Sequence, residues 1–174
     1  LRFESVVNLP SKVKNIPHIK EPTSTKIPVF TYLCSFMGRI LAIDYGLKRT
    51  GIAVTDPLHI IASGLTTVET GTLMDFLARY CLTESVEMFV VGLPLHPDGN
   101  PAQIAPQVDA FVEKLKKQFP DTPVTRQDER YTSNDAKKII LQSGIKKQKR
   151  RDKALVDKVA AAIILEQYML DNHW

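Results

Sequence analysis

The spacing of apolar residues divides the chain in two. Through residue 36 no period is sustained, and Pro10, Pro17, Pro22 and Pro28 punctuate the segment, which reads as an extended or disordered leader. From Arg39 onward the pattern becomes regular. Residues 39–44 read as a strand buried on both faces, residues 51–55 (Gly-Ile-Ala-Val-Thr) as its partner after a short turn, and a third, shorter strand is expected within Ile60 to Val68. Strands so closely spaced predict an antiparallel meander. Helix and strand alternate beyond it. Leu73, Phe76, Leu77, Tyr80 and Cys81 recur at helical spacing, Met88 to Val91 read as an interior strand, and Ile104, Val108, Phe111, Val112, Leu115 and Phe119 mark one face of a second helix. Asn100 and Pro101 are its expected N-cap and first position. Val124 to Gln127 read as a further strand, Thr132 or Ser133 as the cap of a helix ending near Gly144, and about Asp152 to Leu170 as the last helix. The sum is an α/β layered domain with a mixed sheet.

Composition narrows the class. With 174 residues, 44% apolar and 24% charged, the chain suits one well-cored globular domain. Apolar stretches such as Val159 to Leu165 are far too short to span a membrane. Cys34 and Cys81 have no metal-type spacing and cannot form a disulfide framework, so a reduced cytoplasm is the expected compartment. The leader lacks the apolar core of a secretory signal, and its four prolines disfavour an amphipathic transit helix. Met37 directly precedes the first strand, and a start site there is the expectation. The net charge of +4 is uneven, because residues 1–36 carry five Lys/Arg against two Glu. Local clustering is more informative than the total. Lys146, Lys147, Lys149, Arg150, Arg151 and Lys153 place six cations within eight residues; such a run is often only a solvated face, but here it lies just ahead of an acid in the last helix and could guide a phosphate backbone.

Three acids stand where a solvated carboxylate is unexpected. Asp44 ends the run Ile40-Leu41-Ala42-Ile43, Glu129 follows the strand at Val124 to Gln127, and Asp157 lies in a helix apolar on nearly every side. A buried ionised carboxylate must be paired or bind a metal, and an all-oxygen set suits Mg²⁺ or Mn²⁺. Ligand sites of α/β sheets gather beyond the carboxyl ends of strands, where Asp44 and Glu129 fall. Small residues one turn after Asp157 would let its helix approach the sheet closely. Taken singly, each acid also has an ordinary reading: a strand-end acid is more often a turn former than a ligand, and Asp157 could pair with Lys153 one turn away. Asp128 is the rival of Glu129. Gly46 and Gly51 would allow either close phosphate approach or tight turning, and Gly92-Leu93-Pro94 with Asp98-Gly99 reads as a wall facing the substrate. Asp56 and Asp152 read as turn and surface charges, and His59, His96 and His173 as structural or surface groups.

Four segments settle what single residues leave open. IDYGLKRTGIAVTD (43–56), VVGLPLHPDG (90–99), DERYTSNDA (128–136) and KKQKRRDKALVDKVAAAIIL (146–165) together resemble the YqgF family, small bacterial proteins described as Holliday junction resolvase-like and as candidate pre-16S ribosomal RNA nucleases. The resemblance runs from residue 37 to about 170. It implies a ribonuclease H-like single domain over 37–174, a mixed five-stranded sheet flanked by helices. It places the family's acids on Asp44, Glu129 and Asp157, preferring Glu129 to Asp128. The implied enzyme is a metal-dependent nuclease using Mg²⁺ or Mn²⁺, with precursor rRNA as the favoured partner, branched DNA as the alternative, and a monomer or weak homodimer as its state. Arg130 could clamp a phosphate bidentately or pair with a neighbouring acid. A noncatalytic nucleic-acid-binding factor would have no need of all three acids, and an actin-like nucleotide-binding module would need a longer chain.

Overall fold

The computed structural model describes residues 38–96, 98–129, 132–142 and 152–174. The leader, Arg130 and the basic residues Lys146, Lys147, Lys149, Arg150 and Arg151 lie outside the described residues; of the basic run only Lys153 lies within them. Five strands, β1 (Arg39–Tyr45), β2 (Arg49–Thr55), β3 (Ala62–Glu69), β4 (Val86–Leu93) and β5 (Val124–Asp128), form one sheet in the order β3-β2-β1-β4-β5. The first three pair antiparallel, whereas β1/β4 and β4/β5 are parallel. The helices are α1 (Leu73–Thr83), α2 (Ala105–Gln118), α3 (Thr132–Gln142) and α4 (Lys153–Asp171). A mixed five-stranded sheet flanked by helices is the fold class that the motifs imply.

Strand alternation assigns the two faces. Leu41 and Ile43 of β1 join Phe89, Val91, Leu73, Leu77 and Leu115 in the core beneath α1 and α2. Ile40 and Ala42 point the other way, with Ala53 and Val90, against Ala161, Ile164 and Leu165 of α4. As the middle strand, β1 is therefore buried on both sides, which is why it reads as a continuous apolar run. Asp44, two positions after Ala42, belongs to the α4 face.

Three ties fix α4 over that face. The Thr67 hydroxyl donates to the Ala154 carbonyl (2.7 Å), Gln127 Nε2 donates to Asp171 (2.8 Å), and the Tyr168 hydroxyl lies 3.0 Å from Met88 Sδ. Asp152 caps the helix by accepting the Ala154 N–H (2.9 Å). The close approach expected from the helix's alanines is matched on the sheet side. A Cβ added at Gly51 would overlap the Asp157 carbonyl, and one at Gly64 would overlap Lys158. The helix backbone thus rests directly on β2 and β3.

Two details depart from expectation. The third strand has eight residues and begins at Ala62, while Ile60 and Ile61 are exposed ahead of it; its Ser and Thr content weakens the alternation that would mark its length. The second helix does not start at Asn100-Pro101. Asn100 donates through its backbone and side-chain amides to Asp98 (3.0 and 2.9 Å), Pro101 bridges to Leu95, and Ala105 opens the helix with Pro106 in its first turn. The Ala102 N–H that a cap at Asn100 would receive donates instead to the Pro94 carbonyl (3.0 Å), and Pro106 supplies the preset φ of a helix start. Among the described residues no helix is long and apolar enough to cross a membrane.

Gly51→Ala is expected to destabilise the fold by roughly 2–4 kcal/mol, because the obstacle is helix backbone that cannot rotate away. Gly71→Ala, where a Cβ meets nothing within 4 Å, should stay within about 0.5 kcal/mol of the parent. Urea denaturation of the two variants checks the contrast.

Candidate active site

The parallel strands β1, β4 and β5 end on one edge of the sheet, and β2, running antiparallel, begins there. Asp44 sits on β1 at that edge, opposite Gly51 of β2. Glu129 follows β5, and its backbone N–H lies 3.4 Å from the Leu93 carbonyl of β4. With β4 between them, Asp44 and Glu129 stand two strands apart, about 10 Å at ordinary strand spacing. Gly92 closes that gap. A Cβ there would overlap Glu129 Oε2 and lie 3.2 Å from Ile164 of α4, so the Glu129 carboxylate leans across β4 through the space that a side chain would fill. Asp157 arrives from the other direction, on the α4 turn pressed against Gly51. The three acids therefore follow one another across the α4 face: Asp157 over β2, Asp44 on β1, Glu129 over β4.

Burial and mutual repulsion shape their protonation. Asp44 and Glu129 keep some solvent contact, yet sit low enough that lost hydration is the main influence on both. Burial, reinforced by the neighbouring Asp157 charge, pushes the Asp44 carboxyl up to about 7. Glu129 is pushed up to about 8 by burial, then by Asp44 and Asp128. Asp157 is held differently. Its Oδ2 accepts from Arg49 Nε at 2.9 Å, so its partner is a residue of β2 and not Lys153 one helical turn away.

Other residues of the sequence analysis fall into structural roles. Asp56 accepts the backbone N–H groups of Leu58, Ile60 and Ile61 (3.1, 2.7 and 2.7 Å) and closes the turn before β3. His59 is buried, with Nε2 2.7 Å from the Gly38 carbonyl and its ring edge-on to Trp174. Gly46 makes the tight β1–β2 turn, where a Cβ would overlap the Arg49 carbonyl. Gly46 thus serves the tight turn, and Gly51 the close packing of α4. Arg49 was not singled out by its spacing. Strand alternation carries the signal, since Arg49 is two positions before Gly51 and so shares its face.

The donor set fits a hard divalent cation. It consists of carboxylate oxygens only, two of them pushed up to about 7 and about 8 chiefly by burial. Among the described residues, however, no three His, Cys, Asp or Glu side chains already converge on one point. Asp157 is instead engaged by Arg49, while its charge still reaches Asp44.

Comparison with known proteins follows the same residues. The sequence pattern of the RuvX family, described as "Holliday junction resolvase", matches residues 38–171. A Porphyromonas gingivalis protein named "Putative pre-16S rRNA nuclease" is 57% identical over 136 residues, covering 78% of this chain and 98% of that protein. A Christiangramia forsetii protein of the same name is 50% identical over 135 residues, covering 78% and 100%. Among solved structures, Thermus thermophilus RuvC in complex with a Holliday junction substrate aligns with a TM-score of 0.46 and 17% identity, over 78% of this chain and 96% of that one.

The raised carboxyls set a pH dependence for the metal-free protein. An acid that holds its proton more tightly when folded lets stability fall as pH rises from its unfolded value, about 4, up to its folded one. With Asp44 at about 7 and Glu129 at about 8, the loss should be spread over pH 4 to 8 and level off above. Asp44→Asn is expected to raise Tm by a few degrees at pH 8 in chelator and to leave it nearly unchanged at pH 4. Thermal melts at the two pH values check this.

Proposed function

The chain belongs to the RuvX family, and from that membership and the row of three carboxylates on the α4 face we propose a metal-dependent cytoplasmic nuclease that processes precursor 16S rRNA. The observation that carries the reading is the approach of Glu129 to Asp44 across Gly92. It concentrates negative charge in the low-dielectric floor of a site where no fold requires it.

Asp44, Glu129 and Asp157 would hold one or two Mg²⁺ or Mn²⁺ ions. Bound there, the metal would lower the pKa of the attacking water and offset charge on the scissile phosphate. The residues supply position. Asp44 is fixed by the β1 ladder, Glu129 by its backbone bond to Leu93, and Asp157 by the packing of α4 on Gly51. Water attacks phosphorus, the bond to the leaving oxygen breaks, and that oxygen takes up a proton; the products are a phosphate end and a hydroxyl end. Arg130 and the basic run Lys146 to Lys153 would carry the flanking backbone, each neutralised phosphate steepening the salt dependence of binding.

Precursor rRNA is favoured as substrate because relatives covered over essentially their full length carry that name. The family description favours a second reading, cleavage of four-way DNA junctions. Symmetric resolution requires two coordinated sites, and so a dimer.

Labelled precursor-16S RNA and four-way-junction DNA, each with Mg²⁺, Mn²⁺ or chelator, test the proposal. Cleavage of the RNA should require metal, and folded Asp44→Asn or Glu129→Gln should lose at least about 100-fold in rate. Selective cutting of the junction by a dimer would move the substrate to DNA. Wild-type rates in Asp44→Asn would remove the assigned site.

A further inference from the structure

Arg49 is the residue at this site that the nuclease reading leaves without a task. It begins β2 at the sheet edge where β1 ends, two positions before Gly51, the register partner of Asp44, and so on the same face. Its guanidinium and the Asp157 carboxylate are both partly open to solvent, at 38% and 25%. A half-exposed ion pair contributes only about 0–1 kcal/mol, so it is a poor stability device, particularly where Thr67 and Gln127 already tie α4 to the sheet. It is also easily exchanged. The bond to Asp157 uses Nε alone, leaving the two terminal nitrogens of the planar fork outside it, and that fork matches two oxygens of a phosphate.

A phosphodiester must be drawn to a place crowded with carboxylates. The charge that could receive it is engaged with one of those carboxylates. We propose that Arg49 is a phosphate-binding residue masked by Asp157: when Asp157 is drawn to a cation shared with Asp44, the guanidinium is released to a nonbridging oxygen of the bound strand. The exchange couples two events. A divalent ion arriving without nucleic acid must break the Arg49 bond with nothing to replace it, whereas nucleic acid and metal arriving together satisfy both partners. The Arg49–Asp157 pair thus favours assembly of the site on substrate. This inference rests on the nuclease reading, since it requires a phosphate ligand.

The reverse role, in which Arg49 does no more than orient Asp157, makes the opposite forecast and can be told apart without turnover. Binding of a labelled single-stranded precursor-16S RNA fragment is measured in chelator, across a salt series, for the wild type, Arg49→Gln, Asp157→Asn and the double variant, each first shown to be folded by its melting curve. With Asp157 present the guanidinium is masked, and Arg49→Gln should change Kd by less than about twofold. In the Asp157→Asn background it is free, and the same substitution should weaken binding about tenfold and lower the salt slope by about 0.7. Arg49→Lys in that background should restore the slope but not the full affinity, because it keeps charge and loses the fork. Equal effects of Arg49→Gln in both backgrounds, or an effect confined to the parent, would overturn the assignment while leaving the nuclease intact. If no folded variant bound the RNA, the nuclease reading itself would fall, and the assignment with it.

Discussion

Everything at this site depends on how closely carboxylates can be brought together without a fold-breaking penalty. Two missing side chains permit it. Gly51 lets the α4 backbone settle on β2 and so delivers Asp157, while Gly92 leaves a notch on β4 through which Glu129 reaches toward Asp44. With any Cβ at either place, one acid would be displaced from the row. Sterics thus set the geometry, and electrostatics set the need: two carboxyls held up to about 7 and about 8 are strained toward the protonated form until positive charge is supplied.

The rest of the fold can be understood as what makes that arrangement tolerable. Side chains such as Ile43, Phe89, Leu77 and Leu115 are fully buried, and each is worth roughly 1.5–3 kcal/mol relative to exposure. A core of this kind can offset a few unfavourable charges at its edge. The Thr67, Gln127 and Tyr168 contacts along α4 hold the helix that carries Asp157, so the third acid does not depend on its own ion pair for placement. On the nuclease reading, Arg49 is therefore available to exchange Asp157 for a phosphate.

Much of this was legible in the chain. β1 announces itself by an uninterrupted apolar run, and the helical spacings of Leu73–Cys81 and Val108–Leu115 agree with α1 and α2 because each is amphipathic against one core. The acids were legible as misplaced charges, and the four motifs preferred Glu129 to Asp128. What was hidden were relations between distant residues. Gly51 read as a phosphate or turn glycine because a helix 106 residues later cannot be seen from β2, and Arg49 was not singled out for the same reason. Asn100-Pro101 imitates a helix start so well that only its local bonds to Asp98 and Leu95 reveal a turn.

The central claim is that Asp44 and Glu129 hold protons which a divalent cation displaces. Calorimetric titration of Mn²⁺ into the protein at pH 7, repeated in buffers of different ionisation enthalpy, measures those protons directly. The account predicts saturable binding with release of about one proton per ion or more, and loss of that release in Asp44→Asn/Glu129→Gln. Binding without proton release, or undiminished binding and release in the double variant, would contradict it.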